Sequence, residues 1–276
     1  MSRAPVVSLR DVSKSFGEGG VTALSGIDLE IVNGEFVSLI GPSGCGKSTL
    51  LRIVADLVEP SSGEVVVNGK AARQARLDRD YGFVFQDAVL YDWRTVRRNI
   101  ALPLELMGWD GKRRQQRVDE LLDLVELTGF GDLHPWQLSG GMQQRVAIAR
   151  ALSFSPALLL MDEPFGALDE MTRERLNAEL LRIWERAGST VVFVTHSISE
   201  AVFLSTRVVV MSRRPGRIAA TVEIDLPQPR TADTREEPRF FELVTEVRDR
   251  LREGGLDEIS TAPGEGELPP VEEGAA

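Results

Sequence analysis

The chain has 276 residues, 32 Lys and Arg against 42 Asp and Glu, and a net charge of −10. That length suffices for a large core in one or two closely joined domains, and the acidic balance argues against nonspecific binding of DNA or RNA. No apolar run approaches the ~20 residues that cross a bilayer, the start Met1-Ser2-Arg3-Ala4-Pro5 has no apolar leader segment, and the lone cysteine, Cys45, excludes an intrachain disulfide. These features predict a chain kept in a reducing cytoplasm.

Residues 6–12 and 21–31 read as strands on either side of the turn Gly17-Glu18-Gly19-Gly20. Phe16 closes the first of them, where an aromatic can cap a core or offer a stacking face to a base. The apolar run 36–40 then leads into Gly41, Pro42, Ser43, Gly44, Cys45, Gly46, Lys47, Ser48 and Thr49, followed by a helical pattern. This is G-x-x-x-x-G-K-[ST] between strand and helix, the context in which the motif cradles a triphosphate. Its glycines let successive N–H groups turn inward, and the helix adds its unpaired N–H groups and positive dipole end. Lys47 is placed for the β- and γ-phosphates, Ser48 for Mg²⁺ and Thr49 for the α-phosphate. Cys45, within the loop, carries no implied chemistry of its own.

Leu50, Leu51, Val54 and Leu57 give the next helix a buried stripe, ended by Pro60-Ser61-Ser62-Gly63. Val65-Val66-Val67 followed by Asn68-Gly69 predicts a hairpin, and residues 81–85 a strand that ends at Gln86. From about 87 to 155 the pattern is helical. Val118, Leu121, Leu122 and Val125 share one helix face, and Trp93, Leu102, Leu104, Leu106, Met107 and Trp109 form a dense apolar stretch interrupted by Pro103. Part of that stretch fits either packing or a partner surface.

Leu138, Ser139, Gly140, Gly141 and Met142 open another helix, with Ser139 as its cap and two glycines that leave the first N–H groups approachable by a phosphate. A simple capped helix fits these residues equally. Residues 157–161 are a continuous apolar run, as in a parallel strand covered on both faces, with Asp162-Glu163-Pro164 at its carboxyl end. Adjacent carboxylates there suit Mg²⁺ at Asp162 and the polarisation of a water at Glu163. A further buried strand, 190–195, places His196 at the same edge, where it can meet a γ-phosphate. Two late strands flank Arg213-Arg214-Pro215-Gly216-Arg217, an amphipathic helix carries Phe240, Leu243, Val244, Val247 and Leu251, and from Glu253 onward Gly, Pro and Glu predict disorder.

In kind and in order these motifs resemble the nucleotide-binding subunit of an ABC transporter, from Val6 to Leu251. The resemblance implies an α/β fold, a P-loop NTPase domain of ABC type with an antiparallel β subdomain and a helical subdomain. The ATP-binding domain would span 1–252, with the insert at about 87–155 and an acidic tail at 253–276. It makes Gly41 to Thr49 the Walker A loop, Leu158 to Asp162 Walker B with Glu163 behind it, and Leu138 to Met142 the signature. Gln86 becomes the Gln-loop residue beside the metal and the catalytic groups, Gly166-Ala167-Leu168-Asp169 the D-loop, His196 the switch histidine and Phe16 the adenine-stacking residue. The implied cofactors are ATP and Mg²⁺. Two copies would pair head to tail, so that each ATP lies between one copy's phosphate loop and the other's signature.

The strings MDEPFGALDEMTRERLN, VTHSISEAVFLSTRVVVMSRRPGRI and WRTVRRNIALPLEL are similar to the importers of nitrate, sulfonate and taurine. That similarity implies a peripheral subunit at the cytoplasmic face of the membrane, a separate permease and, indirectly, an extracytoplasmic solute-binding protein. A thiamine-precursor pyrimidine is the alternative cargo, and a soluble ABC ATPase outside transport the alternative class. Met142 stands where the commonest signature has Gln, Phe16 where Tyr is frequent, and Asp56 where Gly often follows the first helix. The segment around Tyr91, Trp93 and Arg94, directly after Gln86, is expected to meet a cytoplasmic helix of the permease.

Overall fold

The computed structural model describes residues 5–17, 20–166 and 168–256. The first two strands, β1 (Pro5–Ser15) and β2 (Thr22–Val32), pair antiparallel, and β1 also pairs with β4 (Ser62–Val67), which returns through the Asn68-Gly69 turn to the short β5 (Lys70–Ala71). Both residues of that turn have positive φ, as a two-residue hairpin requires. Between these strands the chain passes through β3 (Phe36–Ile40) and α1 (Lys47–Val54) into the second sheet, then continues through α2 (Ala72–Asp78) and β6 (Tyr81–Val84).

Three helices follow, α3 (Val96–Leu106), α4 (Gly111–Leu124) and α5 (Gly140–Leu152). They are followed by β7 (Leu158–Asp162), α6 (Glu170–Ala187), β8 (Thr190–Val194), α7 (Ile198–Leu204), β9 (Arg207–Met211), β10 (Ile218–Glu223) and α8 (Pro238–Leu256). The larger sheet has the order β10-β9-β3-β8-β7-β6, parallel except for β10.

Every residue of β3, β7 and β8 is buried, which a period-two strand allows only when both faces are covered. Leu159 and Met161 point into a core shared with α3 to α8, whereas Leu158 and Leu160 point into one shared with α1 and the antiparallel sheet. The sheet therefore separates a helical layer from a β layer, and its carboxyl edge carries the phosphate loop, Asp162 and His196 together.

Several local expectations shift. α1 ends at Val54, so Leu57 lies beyond it and is half exposed. Asp56 takes the left-handed turn there with φ 50, a conformation that favours Gly, and its carboxylate is held by Arg76 Nε at 2.8 Å. Pro103 lies inside α3 and does not end it. α8 runs past Glu253, where the sequence predicts disorder, and Glu253 there pairs with Arg250 one turn back at 3.1 Å. Residues 257–276, to which the rest of that expectation applies, lie outside the described residues, as does Ala167 of the D-loop.

Candidate active site

The phosphate loop turns into α1 at Gly46, the helix N-cap, with φ 103 and no side-chain cap. A Cβ there would stand 2.6 Å from Leu24 Cδ2 and 3.0 Å from the carbonyl of Ala23, so both conformation and space demand glycine. The uncapped first turn leaves its N–H groups for an anion. Lys47 is 6% exposed and donates from Nζ to the carbonyls of Gly41 at 2.8 Å and Pro42 at 3.1 Å, which holds its charge over the loop. Burial pushes the Cys45 thiol up despite the neighbouring Lys47 charge, leaving it a packed, protonated side chain.

Ser48 and Asp162, 114 residues apart, meet because α1 leaves β3 directly above the end of β7. The Ser48 hydroxyl donates to Asp162 Oδ1 at 2.7 Å, and Arg52 Nη2 lies 3.6 Å from Oδ2. Asp162 is only 6% exposed. One residue on, Glu163 has φ 45, a strained conformation for a side-chain-bearing residue, and its N–H donates to Val194 at 3.0 Å. The strain turns its carboxylate out of the sheet edge toward His196, whose Nδ1 is 3.2 Å from Glu163 Oε2.

Behind His196, the Thr195 hydroxyl donates to Glu200 and accepts the Ser197 N–H, locking the turn into α7. Burial raises the Glu200 carboxyl above the ordinary range, against the opposing bond from Thr195. Gln86 also reaches this corner. A Cβ placed on Gly166 would lie 3.5 Å from Glu163 Oε2 and 3.7 Å from Gln86 Nε2, so one small residue separates the amide from the carboxylate.

A cavity of about 260 Å³ opens over the loop, lined by Phe16, Val21, Ala23, Ser43, Gly44, Gly46, Lys47, Ser48, Thr49, Glu163 and Arg214. Phe16, one of the lining residues, is 48% exposed, with Lys14 Nζ 5.1 Å from its ring centroid. Arg214 is a wall residue that reasoning from the sequence passed over. Its only signal there was a cluster of arginines in a turn.

The signature residues do not join this cavity. Ser139 accepts the Met142 N–H at 3.3 Å and caps α5, with Ser139 and Gly140 exposed. Leu138 and Gly141 are buried beneath them. Asp169 likewise caps α6, and the hydrogen bonds from Thr172 hold its carboxyl below the usual range. The signature helix is instead tied to the segment after β6: Gln144 Nε2 donates to Phe85 at 3.0 Å, and Arg150 donates to Val89 at 2.8 Å and Ala88 at 3.1 Å.

Strand, phosphate loop, helix, and two carboxylates at the same sheet edge, on the strand next but one, define a nucleoside triphosphatase of P-loop class. The family described as ABC transporter matches residues 24–166. An uncharacterized ABC transporter ATP-binding protein of Methanocaldococcus jannaschii is 50% identical over 92% of this chain and 94% of its own. The aliphatic sulfonates import ATP-binding protein SsuB of Bacillus thuringiensis subsp. konkukian is 45% identical over 92% of this chain and 99% of its own. Among solved structures, the dimeric post-hydrolysis state of the ATP-binding cassette MJ0796 bound to ADP and Pi superposes with a TM-score of 0.69 at 38% identity, over 79% of this chain and 98% of that one. The cbiO1 structure from Clostridium perfringens, part of the ABC transporter complex cbiONQ, gives 0.75 at 27% identity, over 91% and 97%. The chain belongs to the ABC transporter family, as an ATP-binding subunit that hydrolyses ATP.

Proposed function

We propose that this subunit powers uptake of a small solute, nitrate, a sulfonate or taurine, through a separate membrane permease, working as a homodimer at the cytoplasmic face of the membrane. One observation carries the reading: the cavity is lined by the phosphate loop and Glu163, with Asp162 bonded to Ser48 and His196 to Glu163 beside it, while the second phosphate-type helix start, at Ser139, stands exposed outside it. A site divided in this way is completed by a second copy. The dimeric cassette at 38% identity supports that arrangement, and the sulfonate-import relative at 45% identity supports the class of cargo. Among the described residues no helix is long and apolar enough to cross a membrane, which fits a subunit that docks on a permease. The ATP-binding unit in this reading runs from β1 through α8, with α3 to α5 as its helical insert.

Within the site, Lys47 and the loop N–H groups hold the phosphates, and Phe16 stacks on the base. Ser48 and Asp162 suit Mg²⁺: they are hard oxygen donors already in contact, and among the described residues no cluster of three His, Cys, Asp or Glu forms a dedicated cage. Gln86, at the same corner, completes the polar set. Bound there with ATP, the metal would neutralise charge on the phosphate oxygens. Glu163 accepts the proton of the attacking water, and His196, fixed by the Thr195–Glu200 lock, orients that carboxylate and meets the γ-phosphate.

The docking surface is the segment around Tyr91, Trp93 and Arg94, with Arg94 paired to Glu105 at 2.8 Å. Trp93 is 72% exposed, its ring centroid 4.8 Å from that of Tyr91, so it is not part of the insert's core. The turn is nevertheless rigid, because the buried Asn99 bonds the backbone of Tyr91, Arg94 and Thr95. Cargo is tested by reconstituting the subunit with its permease and solute-binding protein in vesicles. ATP-dependent uptake of taurine, an alkanesulfonate or nitrate is expected, and transport of a pyrimidine with none of these would refute the assignment.

A further inference from the structure

The turn between β9 and β10 is built onto the phosphate loop. β9 is the neighbour of β3, so the chain leaving β9 emerges beside the loop that leaves β3. Gly216 sits so close that a Cβ would lie 2.0 Å from the carbonyl of Cys45. Its N–H donates to Ala23 at 2.9 Å, and its carbonyl accepts from Ser25 at 3.0 Å. Ser212 closes the turn from within, its hydroxyl donating to the carbonyls of Arg213 at 3.0 Å and Pro215 at 3.3 Å and accepting the Arg217 N–H at 3.0 Å. This fixes where Arg214 can go. Its Nε donates to the carbonyl of Gly44 at 3.2 Å, and its Nη2 lies 3.6 Å from where a Gly44 Cβ would be.

An exposed carbonyl needs no arginine, since water satisfies it. The choice of a cation is the unexplained feature. The cavity lining holds two cations, Lys47 and Arg214, against one carboxylate, Glu163. Among the described residues Arg214 forms no salt bridge, and Nε alone is engaged, which leaves the flat terminal edge of the guanidinium for an anion. Two like charges beside one loop repel each other until a polyanion lies between them.

We propose that Arg214 is a nucleotide-binding residue, a second cation that contacts the phosphate chain of ATP from the β9–β10 turn while Lys47 holds it from the loop. The inference rests on the assignment of this cavity to ATP. Gly44 is the hinge of the arrangement: its carbonyl faces Arg214, and its φ of 74 lets the loop turn the adjoining N–H groups the other way. The planar fork suits phosphate oxygens better than a lysine would.

The test is equilibrium dialysis of ATP with wild type, Arg214→Ala, Arg214→Gln, Arg214→Lys and Arg213→Ala over a range of NaCl concentrations, with melting temperatures recorded alongside. Loss of the contact is expected to weaken ATP binding about ten-fold in the Ala and Gln variants. Their salt dependence should become shallower, with partial recovery of both properties in Arg214→Lys and no change in Arg213→Ala. Arg214→Gln keeps an N–H for Gly44, so it isolates the charge even if Arg214→Ala proves unstable. Weaker binding with an unaltered salt dependence would mean stacking on the base or support of the loop, and unaltered affinity would mean no contact. Either result overturns the proposal. Lys47→Ala is the separate check on the cavity: undiminished ATP binding in that variant refutes the site, whereas silence of the Arg214 variants alone refutes only this contact.

Discussion

Replacing Glu163 by Gln separates catalysis from folding and binding. The amide has the same size and retains an oxygen that can accept from His196 across the present 3.2 Å, so the geometry at the sheet edge persists. The strained φ of 45 belongs to the backbone and costs Gln and Glu alike. The pair it alters is partly solvated, with side chains 24% and 53% exposed, so its loss should cost no more than about 1 kcal/mol. For a chain of this size that is roughly 2–4 °C in melting temperature. What disappears is the ability to take a proton from water, commonly a factor of about 10² to 10⁴, equivalent to roughly 2.7–5.5 kcal/mol of barrier. Steady-state phosphate release should therefore fall by at least two orders of magnitude, ATP affinity should stay within about three-fold, and ATP-bound dimers should accumulate in gel filtration. A folded variant that retains more than about a tenth of wild-type turnover would remove Glu163 from the role of base.

Lys47→Ala should weaken ATP binding, whereas Ser139→Ala should mainly lower turnover. Heterodimers of the two should concentrate both defects in one composite site and keep about half the hydrolysis, and equal loss of ATP binding by the Ser139→Ala monomer would contradict a shared site. Trp93→Ala should leave melting temperature and basal hydrolysis near wild type while abolishing permease-coupled transport in vesicles, because the ring is 72% exposed. A large fall in melting temperature would instead assign Trp93 to packing. Burial raises the Glu200 carboxyl, so the folded chain binds that proton more tightly than the unfolded chain. Its stabilising contribution is complete below the unfolded value and is lost as pH rises through the folded one. Glu200→Gln should flatten melting temperature against pH in that window, and an unchanged profile would show that Glu200 does not titrate there.

Much of the molecule was legible in the chain because its determinants are local. The phosphate loop needs only a strand, a glycine-rich turn and a helix in succession, and residues 36–54 contain all three. The run at β7 announced a strand covered on both faces, and with it the class of sheet whose carboxyl edge gathers Asp162 and His196. Capping by Ser139 was equally readable, since it depends on a residue three positions ahead. Tertiary structure decided what depends on strand order. Gly44 and Arg214 are separated by 170 residues and meet only because β3 and β9 are neighbours. Glu163 faces His196 because β7 lies beside β8 and because its own backbone is held at an unfavourable φ. Trp93 could be core or surface by composition, and only the pinning of its turn by Asn99, with the ring 72% exposed among the described residues, made it surface. Periodicity and turn chemistry are properties of neighbouring residues, whereas these contacts follow from the order in which buried strands are placed side by side.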